Sequence, residues 1–168
     1  RFVNNPKLRF FIGDVRDEHR LAMAMRGVDT VIHAAALKII PTCEYNPYES
    51  VQTNVIGAQN VCKAAIEAGV SRGILVSTDK AASPLNCYGA CKLVAEKIFI
   101  GSNFMSAGEP HFSVVRYGNV DGSNGSVMPY FKKLVLEGKR LPITDPRMTR
   151  FSISMDKRKR RRVVTKPW

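Results

Sequence analysis

The chain has 168 residues, 45% hydrophobic and 24% charged, with 12 Gly and 9 Pro; this is the composition of a globular domain and excludes a low-complexity or collagen-like chain. Its formal charge of +12 is concentrated at one end, because residues 157–168 hold seven basic side chains and no acidic ones, leaving 19 basic against 14 acidic elsewhere. No apolar run reaches the length needed to span a bilayer, and the first residues lack a signal-peptide pattern, so a cytoplasmic location without a membrane partner is expected.

In chain order, Leu8-Arg9-Phe10-Phe11-Ile12-Gly13 predicts a strand ending at Asp14, and residues 17–26 a short amphipathic helix. Asp29-Thr30-Val31-Ile32-His33 predicts a second strand, followed by Ala34-Ala35-Ala36. Pro41 and Pro47 bracket a loop with at most one helical turn. From Tyr48 to about Ala68, Val51, Val55, Ala58, Val61, Ala65 and Ala68 recur at helical spacing until Gly69 stops the pattern. Further strands are predicted at 73–77 and 111–117, with helices from about Tyr88 to Met105 and from Val127 to Glu137. Gly118 to Gly125 predicts a turn, and Leu141 to Thr144 a short extended piece. Strands alternating with helices imply an α/β fold with a parallel sheet covered on both faces. Ligands of such sheets bind beyond the carboxyl ends of the strands, where Asp14, Ala34 to Ala36, Thr78 to Lys80 and Tyr117 to Asn119 are expected.

The stretch Ser77 to Lys92 concentrates the chemistry. Tyr88 and Lys92 lie four residues apart on a predicted helix, hence on one face. An ammonium beside a phenol favours phenolate. Asp79 and Lys80, at the end of the preceding strand, offer a second acid/base pair. Cys43, Cys62, Cys87 and Cys91 contain no Cys-x-x-Cys and no companion cluster for zinc; they read as free thiols, and no metal is expected. His33 reads as a hydrogen-bonded structural residue.

Gly13-Asp14-Val15-Arg16-Asp17, His33-Ala34-Ala35-Ala36 and Tyr88-x-x-x-Lys92, with Ser77-Thr78 before the tyrosine, resemble an extended short-chain dehydrogenase/reductase. More narrowly, Ser77-Thr78-Asp79-Lys80-Ala81, Glu44-Tyr45-Asn46-Pro47, Val115-Arg116-Tyr117-Gly118-Asn119-Val120 and Arg147-Met148-Thr149-Arg150-Phe151 resemble the inverting UDP-N-acetylglucosamine 4,6-dehydratases of polysaccharide and flagellin-sugar synthesis. The resemblance covers residues 8 to about 156. It implies a Rossmann-like doubly wound parallel sheet, here incomplete, with the glycine-rich turn and the first two strands missing. The domain assignment is a partial catalytic domain at 1–156 and a basic tail at 157–168, read as a frameshift or disordered segment. Such a fragment is expected to be marginally folded, inactive by itself and unable to retain NADP.

By that resemblance Tyr88 is the base for the sugar 4-hydroxyl while NADP (NAD being the other option) takes hydride from carbon 4. Thr78 orients the same oxygen. Lys80, as free amine, removes the proton on carbon 5, and Asp79, if protonated, donates to the departing 6-hydroxyl. Asp14, Val15, Ala34, Ala35, Ala36, Tyr88, Lys92, Tyr117 and Asn119 are implied for the cofactor, and Lys38, Asn119 and Arg150 for a UDP-N-acetylhexosamine. Asp121 and Asn124 depart from the family pattern, and Cys87 and Cys91 stand where it shows Leu and Thr. A homo-oligomer is expected at full length. Two other readings stay open: a nucleotide-sugar 4-epimerase or reductase, and a non-enzymatic basic binder of nucleic acid acting through the tail.

Overall fold

The computed structural model describes residues 5–106, 108–120, 127–143, 145–149 and 152–153. The chain divides into two compact units, residues 1–115 and 116–168.

The first unit is a three-stranded parallel sheet with its helices. β1 (Thr30–His33), β2 (Arg72–Val76) and β3 (His111–Val115) lie in that spatial order. His33 stands opposite Leu75, and Val76 opposite Val115. Each crossover is helical, as parallel strands require. α2 (Ile40–Tyr45), α3 (Pro47–Val51), a π-helical turn (Gln52–Ile56) and α4 (Gly57–Glu67) join β1 to β2; α5 (Cys87–Ser102) joins β2 to β3. The Rossmann-like α/β fold is therefore present as a small sheet.

The core forms where α4 and α5 bury their apolar faces. Ala58, Val61, Ala64 and Ala65 of α4 pack with Val70, Leu75, Ala95, Phe99 and Phe112. Phe99 meets Phe112 edge to face, 5.5 Å between centroids and 84° between planes, and stacks on His33 at 5.9 Å. Phe112 lies across its neighbour in the adjacent strand: a Cβ on Gly73 would fall 2.4 Å from its ring. Gly69, with φ at +68°, ends α4 in the left-handed conformation that an L side chain resists.

Three sequence expectations change. Residues 8–13 form no strand; Phe10 and Ile12 are exposed. No described strand lies alongside to satisfy their backbone groups, and Arg20 of α1 (Glu18–Ala24) takes that role instead. Its Nε donates to the Ile12 carbonyl at 2.8 Å, and its guanidinium lies 5.3 Å from the Phe11 ring centroid. The Pro41–Pro47 segment holds α2 in full, because each proline falls in the first turn of a helix, where its missing N–H has no intrahelical partner to lose. The long helix from residue 47 is interrupted by the π turn, whose buried Asn54 points at the loop after β1.

The second unit contains α6 (Val127–Leu136) and a parallel pair, β4 (Asn119–Val120) with β5 (Ser152–Ile153). The expected extended piece at Leu141 to Thr144 is not a strand over residues 141–143. Arg150, Asp121, Asn124 and the basic tail 157–168 lie outside the described residues. Among the described residues no helix is long and apolar enough to cross a membrane.

Candidate active site at the end of strand β2

Beyond Val76 the chain stays extended through Thr78 and then closes into a single 3₁₀ turn, Asp79–Ala81. Thr78 caps that turn: its hydroxyl accepts the Lys80 N–H at 3.3 Å and donates to Asp79 Oδ1 at 3.0 Å. Lys80 Nζ donates to the same Oδ1 at 3.0 Å. Burial alone would raise the Asp79 pKa, but the Lys80 ammonium and Thr78 hydroxyl outweigh it and hold the carboxyl below its ordinary value. In this arrangement Asp79 is a carboxylate in an ion pair with Lys80, so the acid that the implied mechanism calls for has to gain its proton within the pair.

Helix α5 starts against this turn. Asn86 is its N-cap, accepting the Gly89 N–H at 2.8 Å, and Glu44 of α2 accepts the Cys87 N–H at 2.6 Å. Gly89 makes the contact possible. A Cβ there would sit 2.4 Å from the Lys80 carbonyl oxygen and 3.1 Å from Pro84 Cβ. The residue beside Tyr88 therefore has no side chain so that the Asp79–Lys80 turn can rest on the helix.

Tyr88 is half-buried, and Lys92, one turn on, is 3% exposed with Nζ donating to the Val76 carbonyl at 2.8 Å. Burial draws the Lys92 pKa down to about 8, against the charge of Glu96. His33, at the end of β1, is pushed down to about 4 by burial and by Lys92, so it is neutral at physiological pH. Cys87 and Cys91 lie on the same helix with their sulfurs 3.9 Å apart; burial pushes Cys91 up to about 12.

Of the remaining predicted cofactor residues of this unit, Val15 and the segment of Ala34 to Ala36 are held by two asparagines, and Asp14 by Arg16. Asn60 of α4 donates to the carbonyls of Val15 and Arg16, each at 3.1 Å. Val15 packs so closely on the helix that a Cβ on Gly57 would lie 2.7 Å from its Cγ2. Asp14 is taken up by Arg16, whose backbone and guanidinium hold its carboxyl at a pKa of about 2. Asn54, 1% exposed, accepts the Leu37 N–H and donates to the Leu37 carbonyl, both at 2.8 Å. This two-point clamp fixes the segment that carries Ala34, Ala35, Ala36 and the exposed Lys38. Because His33 pairs with Leu75, that segment leaves the sheet alongside Ser77 and Thr78.

The first unit thus gathers Thr78, Asp79, Lys80, Tyr88 and Lys92 around the end of β2, with Ala34 to Ala36 at the neighbouring strand. Tyr117 and Asn119 belong to the second unit, where Asn119 pairs with Ser152 in β4. Sequence reading assigned no role to Asn54, Asn60, Glu96, Gly57 or Gly89. The first two carried a signal, as polar residues inside an otherwise apolar helical pattern. Glu96 extends the Tyr88–Lys92 spacing by one more turn. The glycines carried none, because their role depends on neighbours remote in sequence.

The polysaccharide biosynthesis protein family matches residues 1–160. The chain is 57% identical over 155 residues to the UDP-N-acetylglucosamine 4,6-dehydratase (inverting) of Campylobacter jejuni, an alignment covering 91% of this chain and 46% of that protein. It is 52% identical over 154 residues to a UDP-glucose 4-epimerase of Rickettsia akari, covering 91% of this chain and 45% of the relative. Among solved structures, DesIV, a dTDP-glucose 4,6-dehydratase of Streptomyces venezuelae with NAD and DAU bound, superposes with a TM-score of 0.82 at 26% identity, over 94% of this chain and 54% of that one. The chain spans about half the length of the curated relatives it matches. With a family match across residues 1–160 and a parallel α/β sheet whose strand end carries the Asp79–Lys80 pair, this chain belongs to the polysaccharide biosynthesis protein family and its extended short-chain dehydrogenase-like fold.

Proposed function

We propose that this chain carries the catalytic face of a sugar-nucleotide 4,6-dehydratase acting on a UDP-N-acetylhexosamine with inversion at carbon 5. The observation that carries the reading is the Asp79–Lys80 pair, bonded at 3.0 Å and seated through Gly89 on the helix that bears Tyr88 and Lys92. When bound, a nicotinamide dinucleotide supplies the hydride acceptor and donor. Asp14, Val15, Ala34, Ala35, Ala36, Tyr88 and Lys92 would hold it, and the small alanine side chains and the backbone fixed by Asn60 fit that task. NADP rather than NAD, and contributions from Tyr117 and Asn119, are parts of the same proposal. Lys38 and Arg150 are proposed for the substrate.

Tyr88 removes the proton from the sugar 4-hydroxyl, helped by the Lys92 charge. The Asp79–Lys80 pair then has a property that neither residue has alone. Moving one proton along their hydrogen bond converts ammonium and carboxylate into free amine and carboxylic acid. Those are the base needed at carbon 5 and the acid needed at the departing 6-oxygen, with no net change in protonation. Displacing water from the site disfavours the charged form, so substrate binding itself shifts the pair toward the reactive tautomer. Thr78, which donates to Asp79 in the resting arrangement, turns to the 4-oxygen once Asp79 is protonated.

The test uses the longest polypeptide the gene encodes, with UDP-N-acetylglucosamine and a nicotinamide cofactor, read by NMR. A 4-keto-6-deoxy product inverted at carbon 5 is expected, and Lys80→Met is expected to abolish dehydration while Tyr88-dependent oxidation at carbon 4 persists. The identity to a protein named as a 4-epimerase favours a second reading. It prevails if a 4-epimer with an intact 6-hydroxyl is formed and Lys80→Met leaves its rate unchanged.

A further inference from the structure

A buried polar seam ties α5 to the end of β2. Ser77 is 3% exposed and Glu96 7%, and the Ser77 hydroxyl donates to Glu96 Oε1. One turn earlier on the helix, Lys92 donates to the Val76 carbonyl. Two successive helical turns therefore grip the last residue of β2 and the residue after it. Tyr88, Lys92 and Glu96, each four residues apart, form one line along the helix face.

A lysine buried this deeply is drawn toward its neutral form, which would remove the positive charge that assists Tyr88. Neighbouring elements bring His33 from β1, Asp79 and Lys80 from the turn after β2, Glu44 and Cys43 from α2, and Cys62 from α4 to the surroundings of α5. His33 is neutral, Asp79 and Lys80 are paired with each other, and Glu44 holds the Cys87 amide. Glu96 is the charge that opposes the desolvation of Lys92.

We propose that Glu96, oriented by Ser77, is a positioning residue that keeps the Lys92 ammonium charged and seated at the end of β2. Its purpose rests on the reading of Tyr88 and Lys92 given above. The experiment follows the Lys92 ε-carbon by NMR in the full chain labelled at lysine, with no substrate present, so it succeeds or fails independently of the dehydratase reading. Lys92→Met assigns the resonance. Glu96→Gln keeps an oxygen for Ser77 and removes the charge, and it is expected to lower the Lys92 titration midpoint by about one pH unit or more. Ser77→Ala keeps the charge and is expected to lower it less. A midpoint unchanged in Glu96→Gln, with helix content preserved, overturns the proposal. Should that variant not fold, Glu96→Asp withdraws the carboxylate by one carbon, and an unchanged midpoint there overturns it equally.

Discussion

His33 makes acid sensitivity calculable. It is 5% exposed, stacked on Phe99 and near the buried Lys92, and its pKa falls from 6.5 to about 4 on folding. The folded state therefore refuses a proton that the unfolded chain accepts between those values. Stability is unaffected above pH 6.5, declines as the pH falls and has lost the full contribution below pH 4. At about 1.4 kcal/mol per pH unit, the loss is about 2 kcal/mol at pH 5 and about 3 kcal/mol at pH 4. Lys92 does not interfere, because the cost of burying its ammonium is constant below pH 8 and disappears only as the pH rises toward 10.5. Asp79, whose pKa is lowered, loses its contribution only as the pH falls below the ordinary carboxylate range. Urea unfolding followed by far-UV circular dichroism at pH 7, 6 and 5 is the assay, with His33→Gln as the non-titrating comparison. The wild-type midpoint should fall across this range and that of His33→Gln should stay nearly flat. Parallel pH dependences in the two proteins would refute the reasoning, whichever is the more stable.

Two further substitutions test how the site is held. Gly89→Ala puts a methyl 2.4 Å from the Lys80 carbonyl; it should destabilise the chain by about 1–3 kcal/mol and shift the backbone resonances of Asp79 and Lys80, whereas Gly101→Ala, which meets nothing within 4 Å, should do neither. Asn54→Ala removes both amide hydrogen bonds to the Leu37 backbone and leaves its carbonyl the weak Cys43 thiol donor at 3.7 Å; since Leu37 is 36% exposed and can recruit water, the expected cost is only about 1–2 kcal/mol, but the Leu37 amide should lose its hydrogen-exchange protection, and retention of that protection would contradict the clamp.

The sequence patterns that survived in the structure are those with a local physical cause. Tyr88 and Lys92 share a face because four residues make a helical turn. The 73–76 and 111–115 strands were legible because buried parallel strands read as short apolar runs between turn residues. Phe10-Phe11-Ile12 has the same apolar character and is not a strand, since a strand also needs a partner and periodicity says nothing about partners. Arg20, which holds that segment instead, lies eight residues on, in the first turn of α1. The protonation state of Asp79 was invisible for a related reason. It depends on whether Lys80 and Thr78 turn toward the carboxyl, and the 3₁₀ turn decides that. Asn54 was hidden within an apparently continuous helix, because a π turn leaves no mark in hydrophobic spacing.

The contact between Gly89 and Lys80 also bears on how chemistry diversifies on this scaffold. The turn is located at its backbone: the Lys80 carbonyl rests on Gly89, and the Thr78 hydroxyl caps the Lys80 amide. The Asp79 carboxyl adds one bond to this cap, accepting from the Thr78 hydroxyl at 3.0 Å, and Lys80 Nζ reaches only as far as that carboxyl. The side chain at 80 can therefore be changed while the backbone of the turn keeps its seat on the helix that bears Tyr88 and Lys92. The acid/base chemistry at this position can thus be altered without rebuilding the backbone that presents it.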